Sequence, residues 1–325
     1  MVTQSSFSTF LVIAASKNQA SVVQLLLEQG ADSDATTNTG DTPLHLAVRA
    51  KVDLNLARTL IDHGADIECL DNRKRTPFHT FFSPIVSKLA QHCPESMNAM
   101  TKDAGGMTLA HYFSWTCASS PADFQVLPNI DNLLKARDEA GRTPLHFAAQ
   151  RGNIPVMEYL LSQYQVPASM QPDSEGNTPL HEAVQSSRAP AAITLLLAHG
   201  FSLEQRNEKG HTVFQHAVLW GTVPATQMLF ERDPGFIAWR DKDGQNMLTL
   251  ARQTENVDVE AWLEKHFGKE DTRLQGVSTI RDIDEIPAGI GVWRTAETMV
   301  TLSIPITIML ALLLSCMFPL ILSMN

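Results

Sequence analysis

Eight short segments of one pattern divide this 325-residue chain at nearly even intervals. In order they read TFLVIAA at 9, TPLHLAV at 42, TPFHTFF at 76, TLAHYFS at 108, TPLHFAA at 143, TPLHEAV at 178, TVFQHAV at 212 and NMLTLAR at 246. Successive starts lie 33, 34, 32, 35, 35, 34 and 34 residues apart. A fixed period constrains the fold more than composition does, because one such unit cannot bury its own apolar face and must stack on its neighbours. Within a unit, Thr is a good helix N-cap, since its hydroxyl accepts an orphan backbone N–H. Pro at the first helical position lacks an N–H that would go unpaired there anyway. A second apolar helix follows in most copies, as in SVVQLLLEQG at 21–30, LARTLIDHG at 56–64 and AAITLLLAHG at 191–200. Gly30, Gly64 and Gly200 sit where a left-handed residue ends that helix. Two positions before the motif start stand Gly40, Gly106, Gly141, Gly176, Gly210 and Gly244, which fit a tight turn of positive φ.

The T-P-L-H-x-A pattern at this period resembles the ankyrin-repeat family over residues 5–267, and three full TPLH copies carry the resemblance. It implies an all-α solenoid of about seven to eight helix-turn-helix repeats with β-turn loops. The repeats are expected near 5–36, 37–70, 71–102, 103–137, 138–172, 173–206, 207–240 and 241–267. In the family the motif histidine bonds backbone between repeats, a role that falls here on His45, His79, His111, His146 and His181. The family's partner-contacting surface is a concave face made of turn tips and the exposed ends of the first helices. Projected onto this chain, the helix positions are Arg49, Trp115, Gln150, Arg151, Gln185, Leu219, Trp220 and Gln253. The turn positions include Arg73, Arg75, Glu139, Arg142, Glu175, Lys209, His211, Lys242 and Gln245. Trp and Arg dominate interface hot spots, which favours Trp220, Trp115, Arg142, Arg151 and Arg75, with Leu219, Gln185, His211 and Gln245 beside them. Trp115 has a second reading, as filler of space left by an irregular repeat.

Residues 71–137 depart from the pattern. Lys74 stands where the turn glycine should be, at a cost of roughly 1 kcal/mol if the left-handed geometry is kept. Phe81, Phe82 and Phe113 replace small helix residues, and Pro84 and the stretch SSPADFQVLP at 119–128 interrupt the second helices. Distorted repeats are expected here.

The chemistry of an enzyme is missing from the sequence. Five of the 11 histidines recur one per repeat and would be spread along the stack, so they cannot converge on one ion. His211 and His216 stand close enough to meet, without a third ligand. Cys117 lies six residues after His111, with nothing near to orient a base. The AGG at 104–106 lacks the Lys-Ser/Thr of a phosphate loop. The four cysteines form no CxxC pair, which reads as reduced thiols in a cytosolic compartment. A net charge of -10 argues against binding the nucleic-acid backbone, which needs basic stripes. The apolar FLVIAAS at 10–16 has no basic residue before it and reads as part of the fold, not as a signal peptide. No cofactor or metal is expected.

The end of the chain is different in kind. Residues 268–298 read as a mixed, charged linker, and no charge follows Glu297. Met299–Leu322 is then an uncharged, mostly apolar run that as a helix spans about 36 Å, against about 30 Å for a hydrocarbon core. Its apolar residues occupy every face, which suits lipid rather than the polar cap that ends a solenoid. Pro305 and Pro319 interrupt its hydrogen bonding, and Trp293 and Arg294 suit the headgroup zone. The run resembles a tail anchor that leaves the repeats in the cytosol. Three functional readings stay open on these residues. One is a membrane-anchored scaffold recruiting or sequestering a protein partner. The second is a secreted bacterial effector acting on host membranes or proteins. The third is a regulatory subunit of an enzyme.

Overall fold

The start of each repeat is set by its threonine. Thr108, Thr143, Thr178 and Thr212 keep extended backbone, and each exchanges a reciprocal pair of cap bonds with the residue three places on. In three of the four that residue is the motif histidine; in the last it is Gln215. Pro144 and Pro179 take the first helical turn, where no N–H is needed.

The computed structural model describes residues 4–49, 54–80, 88–89, 97–116, 119–163, 172–233, 240, 244–253 and 256–267. The first repeat pairs α1 (Gln4–Ser16) with α2 (Ala20–Glu28), and the second pairs α3 (Pro43–Arg49) with α4 (Leu54–Asp62). α1 packs on α3 and α2 on α4, so first helices form one layer and second helices another. The same pairing recurs as Pro144–Arg151 with Ile154–Gln163, Pro179–Ala183 with Ala189–Ala198, Val213–Trp220 with Val223–Arg232, and Met247–Gln253 with Val257–Phe267. Between the layers runs one continuous core, from Leu11 and Val23 through Leu145 and Ile193 to Leu250 and Leu263. The contacts gather Met1–Lys269 into one compact unit.

The expected irregularity is present and has a local form. In the third repeat the described part of the first helix, Pro77–Thr80, is a 3₁₀ turn. In the fourth, the second helix is split into Pro121–Gln125 and Ile130–Leu134, with Asn129 left-handed between them at φ 55°. One expectation is corrected: Pro121 does not break that segment but opens its first piece, at the first turn after a Ser120–Asp123 cap. Phe113, where other repeats carry Ala, fills the enlarged space edge-on to Phe124 at 5.7 Å. Phe81, Phe82 and Pro84 lie outside the described residues.

All nine glycines singled out for left-handed backbone have positive φ. Gly176 shows why the turn demands it: a Cβ there would sit 2.7 Å from the amide nitrogen of Glu208 in the next turn. Lys74 holds the same left-handed conformation at φ 57° despite its side chain. Consecutive turns bond through their backbones, from Asn72 to Thr39, Ala104 to Arg73, Glu139 to Gly105, Ser174 to Ala140 and Glu208 to Glu175, at 2.8–3.1 Å. The linker at 268–298 and the proposed span Met299–Leu322 lie outside the described residues. Among those described, no helix is long and apolar enough to cross a membrane.

Candidate protein-interaction face

The motif histidines fix how one repeat sits on the next. In each, the ring Nδ1 accepts from the threonine backbone N–H, at 3.1 Å for His45 and His146 and 3.0 Å for His111. Nδ1 is therefore unprotonated, and Nε2 carries the hydrogen. That N–H donates to a backbone carbonyl of the following repeat: His45 to Arg75, His79 to Thr101, His111 to Arg142, His146 to Asn177 and His181 to His211, at 3.0–3.3 Å. Burial keeps these rings neutral, pushing His79, His111 and His181 down to about 4 and His146 to about 3. With both ring nitrogens engaged, His111 has none to serve as a base, and Cys117 lies outside the described residues. Among the described residues no three His, Cys, Asp or Glu side chains gather as a metal site.

After the histidine of three motifs, and after Gln215 in the histidine's place, the chain puts Tyr112, Phe147, Glu182 and His216 in the first-helix layer. Three of them lean edge-on against the preceding repeat's histidine, Tyr112 on His79, Phe147 on His111 and His216 on His181, with ring centroids 5.4–5.6 Å apart. A helical turn further on come Trp115, Gln150 and Gln185. Met107, Tyr112, Trp115, Arg142 and Phe147 line a shallow pocket of about 250 Å³. Trp115 is half-buried, packed against Phe147 at 5.5 Å, with the Arg151 guanidinium 3.8 Å over its ring. The tryptophan thus fills space between repeats and also lines the pocket.

From this pocket the face continues through amides. Gln150 donates to Gln185 at 3.3 Å, and Gln185 meets His216 Nε2 at 3.3 Å. His216 packs under Trp220 at 4.6 Å, and Lys209 lies 5.8 Å over the same indole. Trp220 is 44% exposed, the most open aromatic of this surface. The structure therefore joins Trp115, Arg142, Arg151, Gln185 and Trp220 into one strip.

Other expected contact residues are placed differently. Leu219 is a correction: at 5% exposure it packs into the core, because the helix turns that position toward the second layer. His211 is buried, its backbone tied to Asn207 and its carbonyl to His181. Gln245 is half-buried beside the last first helix. Arg75 and Arg142 are turn braces as well as surface cations. Each forms an ion pair with the aspartate four residues earlier, Arg75 with Asp71 at 2.6 Å and Arg142 with Asp138 at 2.9 Å. Arg142 also lies 4.4 Å over the Phe147 ring. Arg49, at the end of α3, pairs with Asp41, eight residues earlier.

Sequence reasoning missed Tyr112, Phe147 and Glu182, which lie buried beneath this face. The available signal was the variable x in TPLHxA, which is large or ionisable in these copies and, in Tyr112 and Phe147, packs on the preceding motif's histidine. Glu182 is the unusual one. Burial, with the Asp173 and Glu175 carboxylates adding to it and Arg142 opposing, pushes its carboxyl up to about 7.

The comparisons with known proteins agree with this geometry. The family model for ankyrin repeats (three copies) matches residues 3–71 and 117–207, leaving out the irregular third repeat, most of the fourth's first half and everything after residue 207, the last two repeats included. Two solved structures share the fold. Human ASB11's ankyrin repeat domain is 20% identical, with a TM-score of 0.55 over 69% of this chain and 97% of that one. The ankyrin repeat domain of Bcl-3, described as a unique member of the IkappaB protein family, is 22% identical, with a TM-score of 0.51 over 67% and 96%. Comparison with curated protein sequences gives no match. Motif, cross-bonding histidines, turn glycines and fold point the same way: the chain carries an ankyrin-repeat domain.

Proposed function

We propose that the chain is a non-enzymatic scaffold. Its concave first-helix face grips a protein partner, and its Met299–Leu322 segment holds the complex at a membrane with the repeats on the cytosolic side. The observation that carries the partner reading is the strip from the Trp115 pocket to Trp220. Aromatic rings, guanidinium groups and amides lie there side by side on a backbone already ordered by histidine cross-bonds. Such residues dominate interface hot spots, and a rigid support keeps the entropy cost of binding low. The pocket suits one apolar anchor side chain of the partner. The membrane half rests on the sequence, which gives an uncharged run long enough to span a bilayer.

Two experiments test the two halves separately. Proximity labelling from the full-length protein in cells should return a partner set that Trp115→Ala with Trp220→Ala loses, at unchanged helical signal. An unchanged set sinks the face. Deleting residues 299–325 should move the protein from the membrane pellet to the supernatant. A full-length protein already in the supernatant sinks the anchor.

A further inference from the structure

Seven large apolar side chains are prominently exposed among the described residues, and four of them share the first repeat: Phe10 at 53%, Ile13 at 51%, Val22 at 42% and Leu25 at 57%. Their register explains the cluster. Phe10 occupies the position of Pro43, Pro144 and Pro179, all buried in their own repeats. Ile13 occupies the position of Tyr112, Phe147, Glu182 and His216, which are buried against the repeat before. Val22 matches Leu56 and Ala192, both 0% exposed. The outer face of α1 and α2 is thus built like an internal stacking face, with two adjacent helices apolar where a preceding helix pair would cover them. It lacks the polar surface that normally ends such an array.

The other end of the described array does not complement it. There Arg252 is ion-paired with Glu260 and Glu264, at 3.2 and 2.7 Å, on an exposed charged surface. Head-to-tail stacking would set Phe10 and Leu25 against those charges. A two-fold arrangement avoids this, since it places the apolar face on its own copy. Its ionic rim also fits. Lys17 follows α1 at one end of the helix pair and Glu28 closes α2 at the other, both exposed. A two-fold axis lying in the plane of the contact and running across the helices apposes the two faces and reverses the helix directions, so it carries Lys17 of one copy toward Glu28 of the other.

We infer that the outer face of α1 and α2 is a self-association surface, by which two copies of this chain pair through their first repeats about a two-fold axis. The two partner-binding faces then belong to one continuous double-length stack.

The test uses the full chain in mild detergent, sized by light scattering over a range of concentrations. Wild type should be dimeric, and Phe10→Lys with Leu25→Lys should be monomeric with an unchanged melting curve. Lys17→Glu alone should weaken the dimer about tenfold, and adding Glu28→Lys should restore it. Val22→Cys should form a disulfide-linked dimer that wild type, with its own cysteines, does not. A monomeric wild type overturns the inference. So does a dimer that survives the lysine pair with its fold intact, which would place the contact elsewhere in the chain. If the lysine pair fails to fold, the Val22→Cys result decides: no linked dimer overturns the inference. Loss of the dimer with the partner set unchanged would leave the concave-face reading standing.

Discussion

His146 Nε2 donates to the backbone carbonyl of Asn177, 3.1 Å away and 31 residues along the chain. Its other nitrogen accepts from Thr143. One neutral ring thereby closes its own helix cap and ties its repeat to the next. Replacing it strands two polar groups at once. Leaving a buried donor or acceptor unsatisfied costs about 1–3 kcal/mol each. His146→Ala should therefore lower stability by about 2–6 kcal/mol in urea melts, counting both groups. His146→Gln should cost less, since Gln215 shows that a glutamine keeps the cap: its Oε1 accepts from Thr212 at 2.9 Å. The Gln215 Nε2 is buried and finds no acceptor among the described residues. A His146→Ala variant as stable as wild type would show that the cross-bond contributes nothing.

Acid should loosen the stack from the inside. Burial holds His79, His111 and His181 down to about 4, and His146 and His216 to about 3, against 6.5 when unfolded. A depressed folded value gives stability that is present above the unfolded value and lost as pH falls toward the folded one. Glu182 acts in the opposite sense: raised from 4.5 to about 7, it stabilises below 4.5 and loses that contribution as pH rises through about 7. Five imidazoles outweigh one carboxyl, and Asp41 and Asp71, lowered by their arginines despite burial, add to the imidazoles' side. The melting temperature should fall steadily from pH 7 to pH 4. A Glu182→Gln variant should gain more at pH 8 than at pH 5. A flat profile between pH 4 and 7 would contradict the neutral-histidine ladder.

At the turns, Lys74 and Gly176 make opposite predictions. Lys74 keeps a left-handed backbone that costs an L side chain roughly 1–2 kcal/mol, so Lys74→Gly should recover a good part of that. Gly176→Ala adds the same backbone strain to a Cβ only 2.7 Å from the Glu208 nitrogen, and should destabilise by more than the lysine variant gains. Equilibrium unfolding of the two variants beside wild type checks both signs.

Arg142 and Arg151 separate bracing from binding. Arg142 holds Asp138 and covers Phe147, whereas Arg151 is exposed and lies over Trp115. Arg142→Ala should lower stability by about 1 kcal/mol, in the range of a partly exposed ion pair, and weaken partner capture as well. Arg151→Ala should weaken capture with the melt unchanged. Equal effects of the two on stability would remove the distinction.

Much of this was legible in the chain because it is local. Threonine caps, helix-ending glycines and the histidine spacing repeat within a few residues, so periodicity alone located them. The contact face was only partly legible. Position within a helix does not say which way it turns, and Leu219 went inward where Trp220 went out. Arginine in a turn does not announce its own aspartate four residues back, as in Asp71–Arg75 and Asp138–Arg142. The split of the fourth repeat's second helix at Asn129, beside the Phe113–Phe124 contact, joins residues from separate segments and so was not legible in either one.

The claim that the first-helix face is where a protein partner sits is tested most directly by photo-crosslinking in cells. A photoreactive residue is placed at Trp115, Arg151 or Trp220, and at Glu158 or Glu231, which are exposed on second helices. The account predicts one common crosslinked species from the first three positions and none from the last two. Crosslinks from Glu158 and Glu231 alone would contradict it.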